Sequence, residues 1–394
     1  MADRSRMPLG PPKDNERVKR SANKPDLTDL APAISEMTFI RRLRFARQNE
    51  REAGSKGAVL VAVLGVLMLA FGWLDALSYD FGFLFRRTQV PDDVVIVGMD
   101  DRSHRDLSPD PRILWGRRCH AQLVERLTKA GAKAVGFDVL FDSPSVIEME
   151  QAGYVESPMD RAFRQALENS SRVVVGAKLK PDGVSAPSPL FRIGDRWGVA
   201  EIAYGSSTIR QPVPGFQGVA PFVEVLARTA HGKAFSRPAY AWLNYYGPPG
   251  TIRTYSYLSV LSASEVPDMI FSNKTVFIGE AATLPPARDK YTSPYSRWRE
   301  APINGVEVMV TSYLNLIRND GLRRLPWWVE SLVILLFGAG FGYALVFVVP
   351  ARAVGVGGAG ALAIGLGLMG QVWVTGIWFP WLVLSAGQVP AALV

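Results

Sequence analysis

Residues 57–74 read GAVLVAVLGVLMLAFGWL, an apolar run without a single charge. At about 1.5 Å of helical rise per residue, the run approaches the thickness of a bilayer's hydrocarbon layer. It predicts a membrane-spanning helix over 57–78. The run starts too deep for a cleaved signal peptide, and no clear small-residue cleavage site follows, so it reads as an uncleaved anchor. Arg41, Arg42, Arg44, Arg47, Arg51 and Lys56 precede it, while Asp75, Asp80, Asp92 and Asp93 follow. Basic residues collect on the cytoplasmic side of a span, which puts residues 1–56 in the cytoplasm and residue 79 onward outside. That tail carries 13 Lys or Arg against 8 Asp or Glu, more than half of the chain's excess of +8. Beside a span, such charge points to membrane lipids rather than nucleic acid as the partner. Residues 1–35, rich in Pro, Asp, Lys and Ser, are expected to be disordered. In 36–52, Phe39, Ile40, Leu43 and Phe45 interleave with arginines, which suits a short surface helix or a solvated linker.

The apolar signal returns at residue 326. Spans are expected over 326–349, 353–373 and 377–394, the first headed by Trp327 and Trp328 at interface level. Arg352, between the first two, falls on the cytoplasmic side. One span before and three after a water-soluble segment describe a multi-pass protein of the inner (plasma) membrane. Gly338 and Gly342 form a GxxxG pair, and 355–370 is dense in glycine. Small faces of this kind let helices approach closely, within one chain or across a homodimer.

Between the apolar blocks, residues 79–325 alternate strand and helix signals. VVIVGMD (94–100), AKAVGFDVLFD (132–142), RVVVGAK (172–178), WLNYY (242–246) and TVFIG (275–279) read as strands. Helical spacing marks 118–130, 158–169, 219–230 and 305–319, and residues 181–216 are an excursion rich in Gly, Pro and Ser. The pattern predicts an α/β fold with a mainly parallel sheet and helices on both faces.

Cys119 is the only cysteine, so no intramolecular disulfide can form, and a lone thiol on a helix reads as a small core residue. His104, His120 and His231 lack paired metal-ligand spacing, so neither a metal nor any other cofactor is expected. Ligands of parallel sheets sit beyond the carboxyl ends of the strands. Asp100 and Asp101 end one strand, with Ser103 just after them, and Asp138 and Asp142 end another. Were these strands neighbours, four carboxylates would crowd one edge and attract a cationic ligand. Otherwise these are helix caps, neutralised by Arg112 or Arg117. Asp80 lies just beyond the first span. Asp289, Thr292 and Pro294 precede the helix that runs into the second one, a turn or a joint that passes domain motion to the membrane.

Five strings in order resemble the type-2 CHASE domain, an extracellular sensory domain of bacterial receptors. They are LDALSYDFGFLFRR (74–87), VVIVGMDDRS (94–103), ILWGRRCHAQLVERL (113–127), GAKAVGFDVLFDSP (131–144) and the stretch from FIGEAA through DKYTSP to INGVEVMVTSYLNLI (277–317). The family's Trp-Pro-Trp-Pro-Arg segment is Ile113-Leu114-Trp115-Gly116-Arg117 here, so Trp115 and Arg117 match. The resemblance implies a sensor between one span and three. In such receptors the last span leads to a cytoplasmic nucleotide cyclase or protein kinase. No phosphoryl-transfer motif appears in this sequence. The expected protein is therefore a dimeric sensory module without a catalytic output of its own, binding a small-molecule or envelope ligand, with a cyclase or kinase output that is lost or follows in a longer or neighbouring chain. An envelope-facing hydrolase using paired carboxylates, or a membrane scaffold, are the rival readings.

Overall fold

The computed structural model describes residues 27–107, 115–144, 156–181, 183–202, 208–212, 214–236, 241–284, 289–299, 301–345, 347–348 and 350–393. Val94–Met99 lies inside a parallel sheet, with Thr254–Ser256 on one side and Thr275–Glu280 on the other. Beyond Thr275–Glu280 come Ala134–Leu140 and then Val173–Lys180. Trp197–Val199 adds a further parallel strand inside the glycine-rich excursion, and Gly183–Ser185 pairs antiparallel.

Successive side chains of a strand point to opposite faces, and both faces here are apolar. Val94, Ile96, Ala134, Val174 and Phe277 pack against helices Phe222–His231 and Gly305–Arg318. Val95, Val97, Val135, Phe137, Val175 and Ile278 pack against Arg117–Lys129, Pro158–Asn169 and Tyr257–Leu261. Continuous runs of Val, Ile and Phe are the sequence that a sheet covered on both sides requires.

The strand expected over WLNYY is a correction. Only Ala241–Trp242 pairs, and it joins a small separate sheet with Leu322–Arg324 and Ile377–Trp378. Leu243–Tyr246 turn away because their polar groups bond to irregular backbone and side chains. The Tyr245 hydroxyl donates to the Ile209 carbonyl, the Tyr246 hydroxyl to Asp320, and the Asn244 amide to the Asn315 side chain.

Among the described residues, three helices are long and apolar enough to cross a membrane: Glu50–Phe71, Trp327–Leu345 and Arg352–Thr375. The first belongs to one continuous helix, Leu27–Phe71. The segment 36–52 therefore runs straight on into the apolar part rather than forming a separate surface helix, and residues 27–35 are helical. The helix stops at Gly72, whose φ of 68° is left-handed, and a new one, Trp73–Phe81, begins. Residues 377–393 do not form a further long helix. Ile377 and Trp378 are held in the small sheet, and the helical run over 381–391 contains a π-turn at Val383–Gln388.

The GxxxG pair packs within the chain. A Cβ on Gly342 would sit 2.8 Å from the Gly57 carbonyl oxygen, and one on Gly338 would sit 2.9 Å from Ala62 Cα. Gln388, fully buried, donates from Nε2 to the carbonyls of Val61 and Ile334, stapling the last segment between the two helices. Gly342→Leu must push these helices apart, at a cost of about 1–3 kcal/mol. We expect a lower thermal unfolding midpoint in detergent; an unchanged midpoint would contradict this packing.

Candidate functional site at the carboxyl edge and the membrane-side joint

Thr275–Glu280 lies between Val94–Met99 and Ala134–Leu140, so the expected direct juxtaposition of Asp100 with Asp138 does not occur. The acids divide into separate groups. Asp100 caps helix Asp101–Leu107: one carboxylate oxygen accepts from the Ser103 amide at 2.9 Å, from the Ser103 hydroxyl, and from the Ser256 hydroxyl at 3.0 Å. Ser103 is buried and its hydroxyl oxygen accepts from the Leu258 amide. Asp101 accepts from the amides of Thr283 and Leu284, fastening the loop after Thr275–Glu280. These contacts make Asp100, Asp101 and Ser103 local anchors.

Trp115, His104 and Glu280 form a chain beside them. The Trp115 indole N–H donates to His104 Nδ1 at 3.1 Å, and His104 Nε2 lies 3.1 Å from the Glu280 carboxylate. An indole nitrogen can only donate, so Nδ1 carries the lone pair and the imidazole proton faces Glu280. Glu280 holds the His104 pKa above its ordinary 6.5, against the opposing effect of burial. Protonating the ring fully would deprive Trp115 of its acceptor.

Arg117 does not reach Asp100 or Asp138. Its buried guanidinium lies over the Phe141 ring at 4.6 Å, donates to the Ser143 carbonyl and stands 3.9 Å from Asp160. Burial lowers its pKa. Asp142 is exposed and sits 3.8 Å from Lys180. Arg112 lies outside the described residues. His120 is a core residue that shares a hydrogen bond of 2.8 Å with the Tyr257 hydroxyl, and burial depresses its pKa to about 3.

The second acidic group gathers at the N-terminus of helix Gly305–Arg318. Asp289 accepts at its backbone oxygen from the Gly305 amide, 3.1 Å away. Its carboxylate covers Gly305 so closely that a Cβ there would meet Oδ2 at 2.2 Å. Asp138 is next to it, with Gly279 giving room: a Cβ on Gly279 would meet Val306 at 2.8 Å and Asp138 at 3.3 Å. Burial first, then the charge of Asp289, raises the Asp138 pKa well above the carboxylate range. Burial likewise raises Asp289, with Tyr291 and Lys178 acting the other way. A helix N-terminus favours negative charge, yet two carboxylates this close resist ionising together. The pair can hold a shared proton or attract a cation. Among the described residues, no cluster of His, Cys, Asp or Glu has the arrangement to hold a metal ion.

From Asp289 the chain runs as a strap to the opposite pole. Lys290–Tyr291 pairs with Ile303–Asn304, the Thr292 carbonyl accepts from the Ile209 amide, and Pro294 leads to Tyr295, whose ring meets Phe83 at 5.7 Å. The strap ends at Arg297, which donates to Asp80 at 3.2 Å. Asp80 is fully buried and also takes a two-pronged grip from Arg210, at 3.0 and 2.8 Å. Nearby, Arg324 bridges buried Asp75 and buried Glu330 and lies over the Trp378 ring at 4.9 Å. Asp80, Asp289, Thr292 and Pro294 thus belong to one connected path. Asp75 enters the sequence reading only as a charge flanking the first span, and Glu280, Arg210, Arg297, Arg324 and Glu330 do not enter it as site residues. Glu330 had a signal, as the one acid inside an apolar helix; Arg210 and Arg297 sit in stretches without any.

These features define an α/β domain bonded through buried ion pairs to a set of long apolar helices. The chain belongs to the CHASE2 domain family, whose family model matches residues 58–344. CHASE2 is a family of extracellular sensory domains. No curated protein and no solved structure matches the chain.

Because Glu280 raises the His104 pKa, stability from this pair is complete below about pH 6.5 and is lost as pH rises through the raised value. In Glu280→Gln the largest influence that raises the His104 pKa is gone and that pKa falls, as an NMR titration of the imidazole would show. An unshifted titration would contradict the assigned hydrogen bonds.

Proposed function

We propose that the chain is a sensor anchored in a cell membrane, with residues 1–56 cytoplasmic and the α/β domain on the outer face. It binds its ligand at the carboxyl edge and hands the signal to a cytoplasmic cyclase or kinase output. The three long apolar helices, together with the last apolar segment 377–394 as a fourth passage, hold it in the bilayer. Exposed Trp73, Trp327, Trp328 and Trp373 support that placement. All four lie where the helices meet the α/β domain, as in an interfacial aromatic belt.

The observation that carries the sensory reading is the position of helix Gly305–Arg318. Its N-terminus adjoins Asp138 and Asp289, and its C-terminus leads through Leu322–Arg324 directly into Trp327–Leu345. Fourteen residues of helix carry a displacement about 20 Å along its axis. A small cationic ligand that favours one arrangement of the carboxylate pair would bias the helix, and a few kcal/mol of difference is enough. A Cβ placed on Gly355, Gly358 or Gly370, which share one face of helix Pro350–Thr375, would meet nothing within 4 Å, and this open face suits pairing as a homodimer.

Placement is tested with Cys119→Ala chains carrying one new cysteine, at exposed Met269 or at exposed Gln48 ahead of the first span. A membrane-impermeant maleimide applied to intact cells is expected to label the cysteine at 269 and spare that at 48. The reverse pattern would overturn the topology and with it the outward-facing sensor.

A further inference from the structure

Where the underside of the α/β domain meets the end of Pro350–Thr375, an open cleft of about 330 Å³ is lined by Arg86, Asn244, Asp320, Arg323, Trp373 and Val374, among others. Its charges are unbalanced. Asp320 is the acid on the wall, and its carboxylate already accepts from the Tyr246 hydroxyl and the Asn315 amide. Arg86 is half-buried and donates to the neutral side chain of Asn244. Arg323 is held in its strand by backbone bonds, with its amide donating to the Gly376 carbonyl at 2.7 Å, while its side chain is exposed. Among the described residues no carboxylate forms an ion pair with it.

The cleft's other wall is apolar and open. Val374 is 86% exposed and Trp373 47%, and the exposed surface continues along the helix through Leu366 and Leu362. A cationic polar recess at the interface level therefore opens onto an apolar strip along the helix. That sequence of chemistry matches an anionic amphiphile, with its headgroup between guanidinium groups and its chain along the helix. Guanidinium groups suit phosphate oxygens because charge-assisted hydrogen bonds form in matching planes.

We propose that this cleft is a binding site for the phosphate headgroup of an anionic phospholipid of the outer leaflet, with Arg323 and Arg86 as the headgroup ligands. The site lies on Leu322–Arg324, the strand that joins helix Gly305–Arg318 to Trp327–Leu345. A lipid seated there bridges the domain and the helix end, and its occupancy sets how firmly they are held together. The inference rests on the membrane placement proposed above.

The test uses the full chain. It is first floated with phosphatidylcholine vesicles, then examined by native mass spectrometry with phosphatidylglycerol, phosphatidylcholine or free glycerol phosphate. The wild-type chain is expected to retain one phosphatidylglycerol that Arg323→Gln loses, with about a tenfold weaker apparent affinity in the variant. Because Arg323 is exposed and held by its backbone, the variant should keep its fold, which an unchanged unfolding midpoint verifies. Arg86→Gln should weaken the same lipid. Equal retention by wild type and Arg323→Gln overturns the site, as does equal retention of phosphatidylcholine. Binding of glycerol phosphate at the same concentration overturns a lipid as the occupant. A chain that fails to float overturns both this inference and the membrane placement, whereas floating without lipid selectivity overturns this inference alone.

Discussion

The Asp80 carboxylate has no exposure to solvent, and two arginines from distant parts of the chain close on it. Burying a carboxylate is costly unless its charge and lone pairs are met. Asp80 therefore dictates where Arg210 and Arg297 must be. Arg210 comes from the excursion between the third long strand and Phe222–His231, and Arg297 from the strap that begins at Asp289. Meeting one buried charge thus brings the end of helix Trp73–Phe81, the excursion and the strap to one point. Aromatic packing closes the joint: Tyr79 contacts Phe83, Trp242 and Trp378, and Phe81 lies on Trp298 and Trp381.

The carboxyl edge of the sheet and this joint are linked by two parallel routes. One is the helix Gly305–Arg318, rigid through its backbone hydrogen bonds and packed on Phe277 through Tyr313. The other is the strap 289–297, tethered midway by the Ile209–Thr292 hydrogen bond. Both start at Asp289, which touches Gly305 with its carboxylate and begins the strap with its backbone. Two acids with raised pKa values at that point place an adjustable charge at the head of both routes.

The α/β layers were legible because Val94–Met99, Ala134–Leu140 and Thr275–Glu280 are largely apolar runs bounded by turn residues. Strand order was not legible. The strand latest in sequence among these three inserts between the other two, and nothing local in 94–142 reports it. For that reason Asp138 found Asp289 as its neighbour rather than Asp100. WLNYY read as a strand because its apolar residues fit one; its polar tips instead satisfy partners at Ile209, Asn315 and Asp320. The last apolar segment read as a plain span from composition, whereas the buried pairing of Trp378 and the staple by Gln388 depend on elements far away in sequence. Trp115 and Arg117 were legible as a pair of motif residues, but not their separate tasks: one hydrogen-bonds to His104, the other fills an aromatic recess beside Asp160.

The bond between Asp80 and Arg210 sits at the centre of the joint between the α/β domain and the helical segment that carries Asp80. A double-mutant cycle of Asp80→Ala and Arg210→Ala, read by denaturant unfolding of the full chain in detergent, measures that bond. Loss of either partner of a buried pair leaves the other uncompensated, so each single change should cost about 3–5 kcal/mol and the double change far less than their sum. Strictly additive costs would mean that the two side chains do not meet, and the joint would not be held by this charge.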